Sequence, residues 1–326
     1  MIIHLPQTAD KLNSQVGNLQ ASVDIVVRLM FMLRDPDISN GEIANTVVDD
    51  KFIASVLVNK LEQMSNKEEG FILFQPEVSI DDGSNKKSQS QSKEPVLSRD
   101  QLVEAIEIAL MRIGHSEILK LVSGISFGKV LGGELKGYGM ARNELWVHSV
   151  IVALIAQNIA KLINTLELEK DENAVTLDST IAFISGLLHD VGKIALNAEL
   201  TTKSSVFRGK LDSRSISWIE AEKHICNKDH AIAGSELVKK WKLNDEICKA
   251  IAGHHTPPAH ERLTAVVHLA DCAARMIGSA PGIGGFALRT DARALQTLNL
   301  KMENLEQVVM FVASDQETIA NYCATS

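Results

Sequence analysis

Aromatic residues are scarce in this chain: Phe, Trp and Tyr together make up 4% of its 326 residues. Sheets draw on aromatic and β-branched residues, so this shortage, beside abundant Ala, Leu, Ile and Glu, favours helix over strand. Cysteine is equally thin. The four present (Cys226, Cys248, Cys272 and Cys323) show no CxxC spacing, which argues against a disulfide framework and fits reduced, mostly buried thiols. No long basic run occurs outside the neighbourhood of Lys86-Lys87, and the formal net charge is -8. Direct nucleic-acid binding needs clustered cations that such a chain lacks. The opening Met1-Ile2-Ile3-His4-Leu5-Pro6 carries neither a cationic stretch nor an apolar one of export length. No run approaches the ~20 apolar residues of a membrane span. The expectation is a cytoplasmic protein that engages neither membrane nor nucleic acid.

What is present reads as amphipathic helix. With 45% hydrophobic and 23% charged residues, the composition is that of an ordinary globular protein, long enough for two lobes or one large domain. Val23, Val26, Val27, Met30 and Leu33 recur at helical spacing. The run Arg34-Asp35-Pro36-Asp37 then interrupts, and Ser39 or Asn40 caps the next helix. A third helix covers residues 51–64. The stretch 79–98, which contains Asp81-Asp82-Gly83-Ser84-Asn85-Lys86-Lys87-Ser88, is nearly devoid of apolar residues. It cannot offset its ordering entropy by burial and reads as a mobile surface insertion. Periodicity resumes at Arg99, with Leu102, Ile106, Ala109, Leu110 and Ile113 on one face and Gly114 as the stop. An apolar helix over residues 117–131 follows, and then the hinge-like Gly132-Gly133 and Gly137-Tyr138-Gly139.

Past that hinge the pattern predicts a helix over 144–164 capped by Asn143 or a residue near it, one capped by Asp178 and ending at His189, and one over 230–241 capped by Asp229. A further helix over 245–255 is stopped by Pro257-Pro258, and another covers 262–277. After Gly282-Ile283-Gly284-Gly285 two helices finish the chain. No strand pattern stands out. The expected fold is all-α and two-lobed: an N-terminal helical lobe (1–136), a helical core (137–280) and C-terminal helices (281–326) packing on that core.

The core carries the chemistry. His189-Asp190 stands at the polar end of the apolar run Gly186-Leu187-Leu188, followed by Val191-Gly192-Lys193. An imidazole beside a carboxylate holds a divalent cation compactly, and the carboxylate can bridge to a second ion. His148 precedes the pair; His230, the doublet His254-His255 and Asp271 follow it. Five of the ten histidines thus fall in one series, each at the edge of a segment that reads as helix. A set rich in imidazole and poor in carboxylate suits Fe, Mn, Ni or Zn rather than Ca or Mg.

The order His148, His189-Asp190, His230, His254-His255, Asp271 resembles the HD superfamily of metal-dependent phosphohydrolases. Trp146-Val147-His148-Ser149, Gly186-Leu187-Leu188-His189-Asp190-Val191-Gly192-Lys193, Asp229-His230-Ala231-Ile232-Ala233-Gly234, Trp241-Lys242-Leu243 and Ala250-Ile251-Ala252-Gly253-His254-His255 resemble its HDOD subfamily. So do Arg34-Asp35-Pro36-Asp37-Ile38-Ser39 and Glu104-Ala105-Ile106 with Ile113-Gly114 in the N-terminal lobe. The likeness spans residues 18–315, with its most specific motifs in 146–271.

The resemblance implies two divalent transition-metal ions, one on His148, His189, Asp190 and Asp271, the other on His230, His254 and His255 with Asp190 bridging. It implies that such a pair could activate a hydroxide and clamp a phosphoryl oxygen, with Asp190 and Lys193 as catalytic groups and Lys193 neutralising developing phosphate charge. The Gly-Tyr-Pro signature of relatives that degrade cyclic dinucleotides is missing; Thr256-Pro257-Pro258 stands there. HDOD proteins are generally tied to signalling, which implies a regulatory protein whose partners are other signalling proteins or a small phosphorylated or nucleotide ligand.

Three rivals remain open: an active phosphodiesterase on a nucleotide or cyclic dinucleotide, a di-iron oxygenase on the same scaffold, and a metal-free adaptor. At the level of residues, Asp271 could hydrogen-bond a ligating histidine instead of a metal. Lys193 could serve as a charge at a helix C-terminus instead of contacting phosphate. His115, His224, His260 and His268 lack matching context and read as structural, and Trp146, Trp218 and Trp241 read as packing anchors. Cys226 and His230 have metal-like spacing, but no second pair completes a zinc site.

Overall fold

The computed structural model describes residues 23–33, 37–65, 97–205, 217–282, 291–315 and 318–320. The expectations for residues 1–6, 34–36, 283–285, Cys323 and all but the last two positions of the 79–98 insertion lie outside the described residues. Two compact units divide the chain: residues 28–125, and residues 126–326 together with the first 27. Among the described residues the architecture is all-α, and the one β pairing is an isolated bridge between Leu135 and Met140.

Residues 23–32 form α1. The smaller unit holds α2 (Asn40–Val48), α3 (Lys51–Ser65), α4 (Arg99–Ile113) and most of α5 (His115–Leu131). The starts of α2 and α4 are chemically specified. Ser39 and Ser98 each accept a backbone N–H of the first turn, while Glu42 and Gln101 reach back to the cap's own N–H. Gly114 ends α4 at φ 83, a conformation that costs glycine little. Helices α2, α3 and α4 pack on one another through Ile43, Ala44, Val47, Leu102, Ile106 and Ala109. His115, read as structural, meets the Asn40 side chain at 2.8 Å.

The larger unit is organised around α6 (Glu144–Leu168), against which α7 (Ser179–Leu188), α12 (Arg262–Met276) and α14 (Met302–Ser314) pack. The remaining helices are α8 (Gly192–Thr202), α9 (Trp218–Cys226), α10 (His230–Lys240), α11 (Asp245–Gly253) and α13 (Ala292–Thr297). Asp178, Asp229 and Asn244 cap α7, α10 and α11 through their side-chain oxygens. Trp146 and Trp241 are buried, and Trp241 lies 6.0 Å from the Phe127 ring centroid.

Two expectations need correction. Asn143 stands at the start of α6 in the left-handed region (φ 64) and gives no side-chain cap. Glu144 instead accepts the backbone N–H groups of Ala141 and Gly282, which secures the turn without a cap. The sequence was also expected to hold no run fit to span a membrane. Both α6 and the stretch 179–202 are long and apolar enough, yet 78% and 83% of their most apolar windows are buried inside the protein. They are core helices, mostly covered by the rest of the protein.

Candidate metal centre

The site lies entirely in the larger unit and is built largely from helix ends, with Asp271 supplied from inside α12. His189 closes α7 and His254 closes α11. The last carbonyls of a helix have no intrahelical partner, and the rings meet that need: His189 Nδ1–H donates to Gly186 O at 2.8 Å and His254 Nδ1–H to Ile251 O at 2.7 Å. A carbonyl only accepts, so the proton sits on Nδ1 and the Nε2 lone pair faces inward. His148, from the second turn of α6, has Nδ1 3.2 Å from Ser279 Oγ. His230, first residue of α10, directs Nδ1–H to Glu222, 2.7 Å from Oε2 and 2.9 Å from Oε1.

Four Nε2 atoms therefore converge on two carboxylates. Asp190 Oδ1 lies 3.1 Å from His230 Nε2 and 3.9 Å from His254 Nε2. Its other oxygen, Oδ2, lies 3.4 Å from His189 Nε2 and 3.8 Å from His148 Nε2. Asp271 Oδ1 is 3.2 Å from His148 and 3.7 Å from His189. All seven residues named from the motif order thus come together. Donor atoms of His148, His189 and Asp271, of His189, Asp190 and His254, and of His230, His254 and His255 form three sets, each mutually within 4.8 Å. Apart from the half-buried His255, each of the seven is at most 3% exposed.

A bound cation fits this arrangement. Nε2 of His148, His189 and His254, Oδ1 of Asp190 and Oδ2 of Asp271 are buried and make no hydrogen bond. Orphaned buried polar atoms are costly and rare, and these five are lone-pair donors of the kind that could hold a metal ion. His255 differs from its fellows. Its Nε2 meets His230 Nε2 at 2.7 Å, and its buried Nδ1 has no hydrogen-bond partner.

The electrostatics separate the residues further. Burial holds His148 down to about 4 and His254 down to about 3, both neutral at pH 7. Burial opposes charging His230 as well, but Glu222 and Asp190 outweigh it and raise the ring to about 9. Asp190 stays well below the carboxylate range despite burial because Lys193, His189 and His230 stabilise its anion; Arg275 does the same for Asp271.

Lys193 stands in the first turn of α8, only 4% exposed, with its amine on Asp190 Oδ2. It is a partner of the central carboxylate and stands at the opening of α8. Arg275 Nε donates to Asp271 Oδ1 at 2.8 Å. Cys226 joins none of the three donor sets. His268 is buried and structural: its Nδ1 bonds His254 O at 2.8 Å, and its Nε2 accepts Asp291 N–H at 2.9 Å. His224 and His260 are exposed.

Sequence reasoning passed over Glu222, Tyr138, Arg275 and Ser279. Glu222 had a signal, since it lies on the same stripe of α9 as Ala221, Ile225 and Cys226, all buried. Arg275 stands four residues after Asp271, on its face of α12.

An all-α fold whose helix ends gather histidines around paired aspartates defines an HD-type protein. The HDOD domain family matches residues 95–257, half of the chain, and the protein belongs to that family. Among curated proteins the chain is 24% identical over 230 residues to ribonuclease Y of Fusobacterium nucleatum, covering 70% of this chain and 33% of that one. It is 30% identical over 178 residues to ribonuclease Y of Campylobacter hominis, covering 54% and 24%. The chain thus spans a third or less of these relatives. Among solved structures it shares its fold with an HDOD domain protein of unknown function from Geobacter sulfurreducens (21% identity, TM-score 0.57, covering 93% of this chain and 90% of that one). The fold is shared too with a candidate signal transduction protein from Marinobacter aquaeolei (16% identity, TM-score 0.64, covering 93% and 58%).

Proposed function

We propose that this protein is an HDOD-type regulator of signal transduction whose larger unit binds two divalent transition-metal ions. One observation carries the two-ion reading: the oxygens of Asp190 face different histidine pairs, Oδ2 toward His148 and His189 and Oδ1 toward His230 and His254. His148, His189 and Asp271 would hold one ion, His230, His254 and His255 the other, with Asp190 between. The nitrogen-rich set favours Fe, Mn, Ni or Zn.

A second reading, hydrolysis of a phosphoester, draws on Lys193, whose amine sits on the central carboxylate. The ribonuclease Y relatives point the same way. Divalent ions at such a site supply Lewis-acid charge to a phosphoryl group. Lys193 would add a fixed positive charge beside it, and Arg275 would keep Asp271 ionised and oriented.

Elemental analysis of the untagged protein beside an Asp190→Ala variant tests the first reading. The expected result is close to two transition-metal ions per wild-type chain and a marked loss in the variant. Wild-type protein without stoichiometric metal after reconstitution would overturn it and leave a helical adaptor. Hydrolysis of bis(p-nitrophenyl) phosphate by the loaded wild type, and not by Asp190→Ala, would favour the second reading.

A further inference from the structure

We propose that Glu222 is a positioning residue for the ion held by His230, and that Tyr138 in turn positions Glu222; the inference rests on the two-ion reading above. The need for Glu222 follows from where His230 stands. His189 and His254 close helices and give their Nδ1–H groups to carbonyls three residues earlier. His230 opens α10, so no preceding helical turn offers a carbonyl. Its acceptor has to come from another element, and α9 supplies it.

Glu222 is fully buried. Its Oε2 accepts the backbone N–H of His230 at 2.8 Å and lies 2.7 Å from the ring Nδ1. One carboxylate thus grips both the main chain and the ring of the same residue, which fixes the ring plane and leaves Nε2 directed at Asp190 Oδ1, 3.1 Å away. A carboxylate on Nδ1–H also makes the opposite nitrogen a better metal donor.

The second oxygen of Glu222 is secured from the loop before α6. Tyr138 OH donates to Oε1 at 2.9 Å, and the Tyr138 ring stacks on Trp218, the first residue of α9, with centroids 5.3 Å apart and planes within 2°. The loop carrying Tyr138 is pinned in turn. Gly137 N–H donates to the Asn197 side chain at 2.9 Å, and a Cβ at Gly137 would come within 2.8 Å of Asn197 O on α8. The chain Tyr138, Glu222, His230 therefore runs from the 135–140 loop through α9 to the metal centre.

The test is a Co(II) titration of the metal-free protein, followed by visible absorption, in wild type, Glu222→Gln and Tyr138→Phe. Glutamine has the size of glutamate and can keep its oxygen on His230 while the Tyr138 hydroxyl turns to accept from its amide, so the substitution removes chiefly the carboxylate's charge from the His230 Nδ1–H bond. The expected wild-type result is two Co(II) equivalents with separable spectra. In Glu222→Gln the first equivalent binds as before, while the second binds about 10- to 100-fold more weakly, with circular dichroism unchanged. Tyr138→Phe leaves both hydrogen bonds to His230 and weakens the second equivalent by less. Two equivalents at wild-type affinity in Glu222→Gln, or equal weakening of both, would overturn the proposal. Should Glu222→Gln fail to fold, an unaltered second equivalent in Tyr138→Phe would overturn it. A wild type that takes up no second ion defeats the two-ion reading itself, and that failure is visible before either variant is measured.

Discussion

His189 and His254 reach carbonyls of their own helices, whereas His230 borrows from α9; the same burial that serves these rings silences a thiol nearby. Cys226 ends α9 and is 7% exposed. Burial, with Glu199 and Glu222 close by, pushes its thiol up to about 12. A raised thiol value means less thiolate at every pH below it, so at pH 8 only about one chain in ten thousand would carry the reactive form, against about a quarter for a free cysteine. Iodoacetamide labelling of the native protein, read at the Cys226 peptide, is expected to run about a thousandfold slower than after denaturation. Its rate should still climb tenfold per pH unit at pH 10, where a free thiol has levelled off. Labelling at the free-thiol rate at pH 8 would refute the environment described for Cys226. The same residues mark what a sequence discloses. His148, His189, Asp190, His230, His254 and His255 were legible because metal-donor types recur at helix edges, whereas Asp271, inside α12, was legible through the motif order alone. Glu222 carries no motif of its own, and its one signal in the sequence was the stripe of α9 that it shares with Ala221, Ile225 and Cys226.

The helices meet the site at contacts too close for a side chain. A Cβ at Gly192, in the first turn of α8, would stand 1.9 Å from His230 O and 2.4 Å from Gly234 N. Both obstacles are backbone, so neither can swing aside, and the crossing of α8 and α10 depends on paired glycines. Gly192→Ala should lower stability by about 3 kcal/mol or more and displace His230 along with it. A chemical denaturation series would register this as a lower midpoint, and a midpoint equal to wild type would refute the crossing. Several element boundaries were readable because capping has local chemistry: Ser39, Asp178 and Asp229 all lie within three residues of the N–H groups they accept. At the start of α6 Asn143 holds the cap position without a side-chain bond, and Glu144 accepts both the local Ala141 N–H and that of Gly282, 138 residues away, a contact that no local pattern carries. The α8–α10 crossing was hidden for a similar reason, since Gly192 and Gly234 announce only that a side chain is missing.

Across the larger unit, the buried cluster sets apolar packing against unpaired polarity. Around α6 the core is apolar, yet it encloses Asp190 and Asp271, both at 0% exposure, and four imidazole nitrogens with no hydrogen bond. Such atoms are expensive to leave unsatisfied, and cations binding only the folded chain would relieve that cost. Free ion at a thousand times its dissociation constant would stabilise the native state by about 4 kcal/mol per site. At this chain length that corresponds to roughly 6 °C in midpoint temperature per site, or roughly 12 °C for two ions. Calorimetric scans of the metal-loaded protein, before and after exhaustive chelation, are therefore expected to differ by about that margin. The same pair of scans on Asp190→Ala should nearly coincide, because the carboxylate that faces both histidine pairs is gone. If chelation strips the metal from the wild type and the transition does not move, the ions sit elsewhere than this cluster, and the unsatisfied atoms of the core would need another partner.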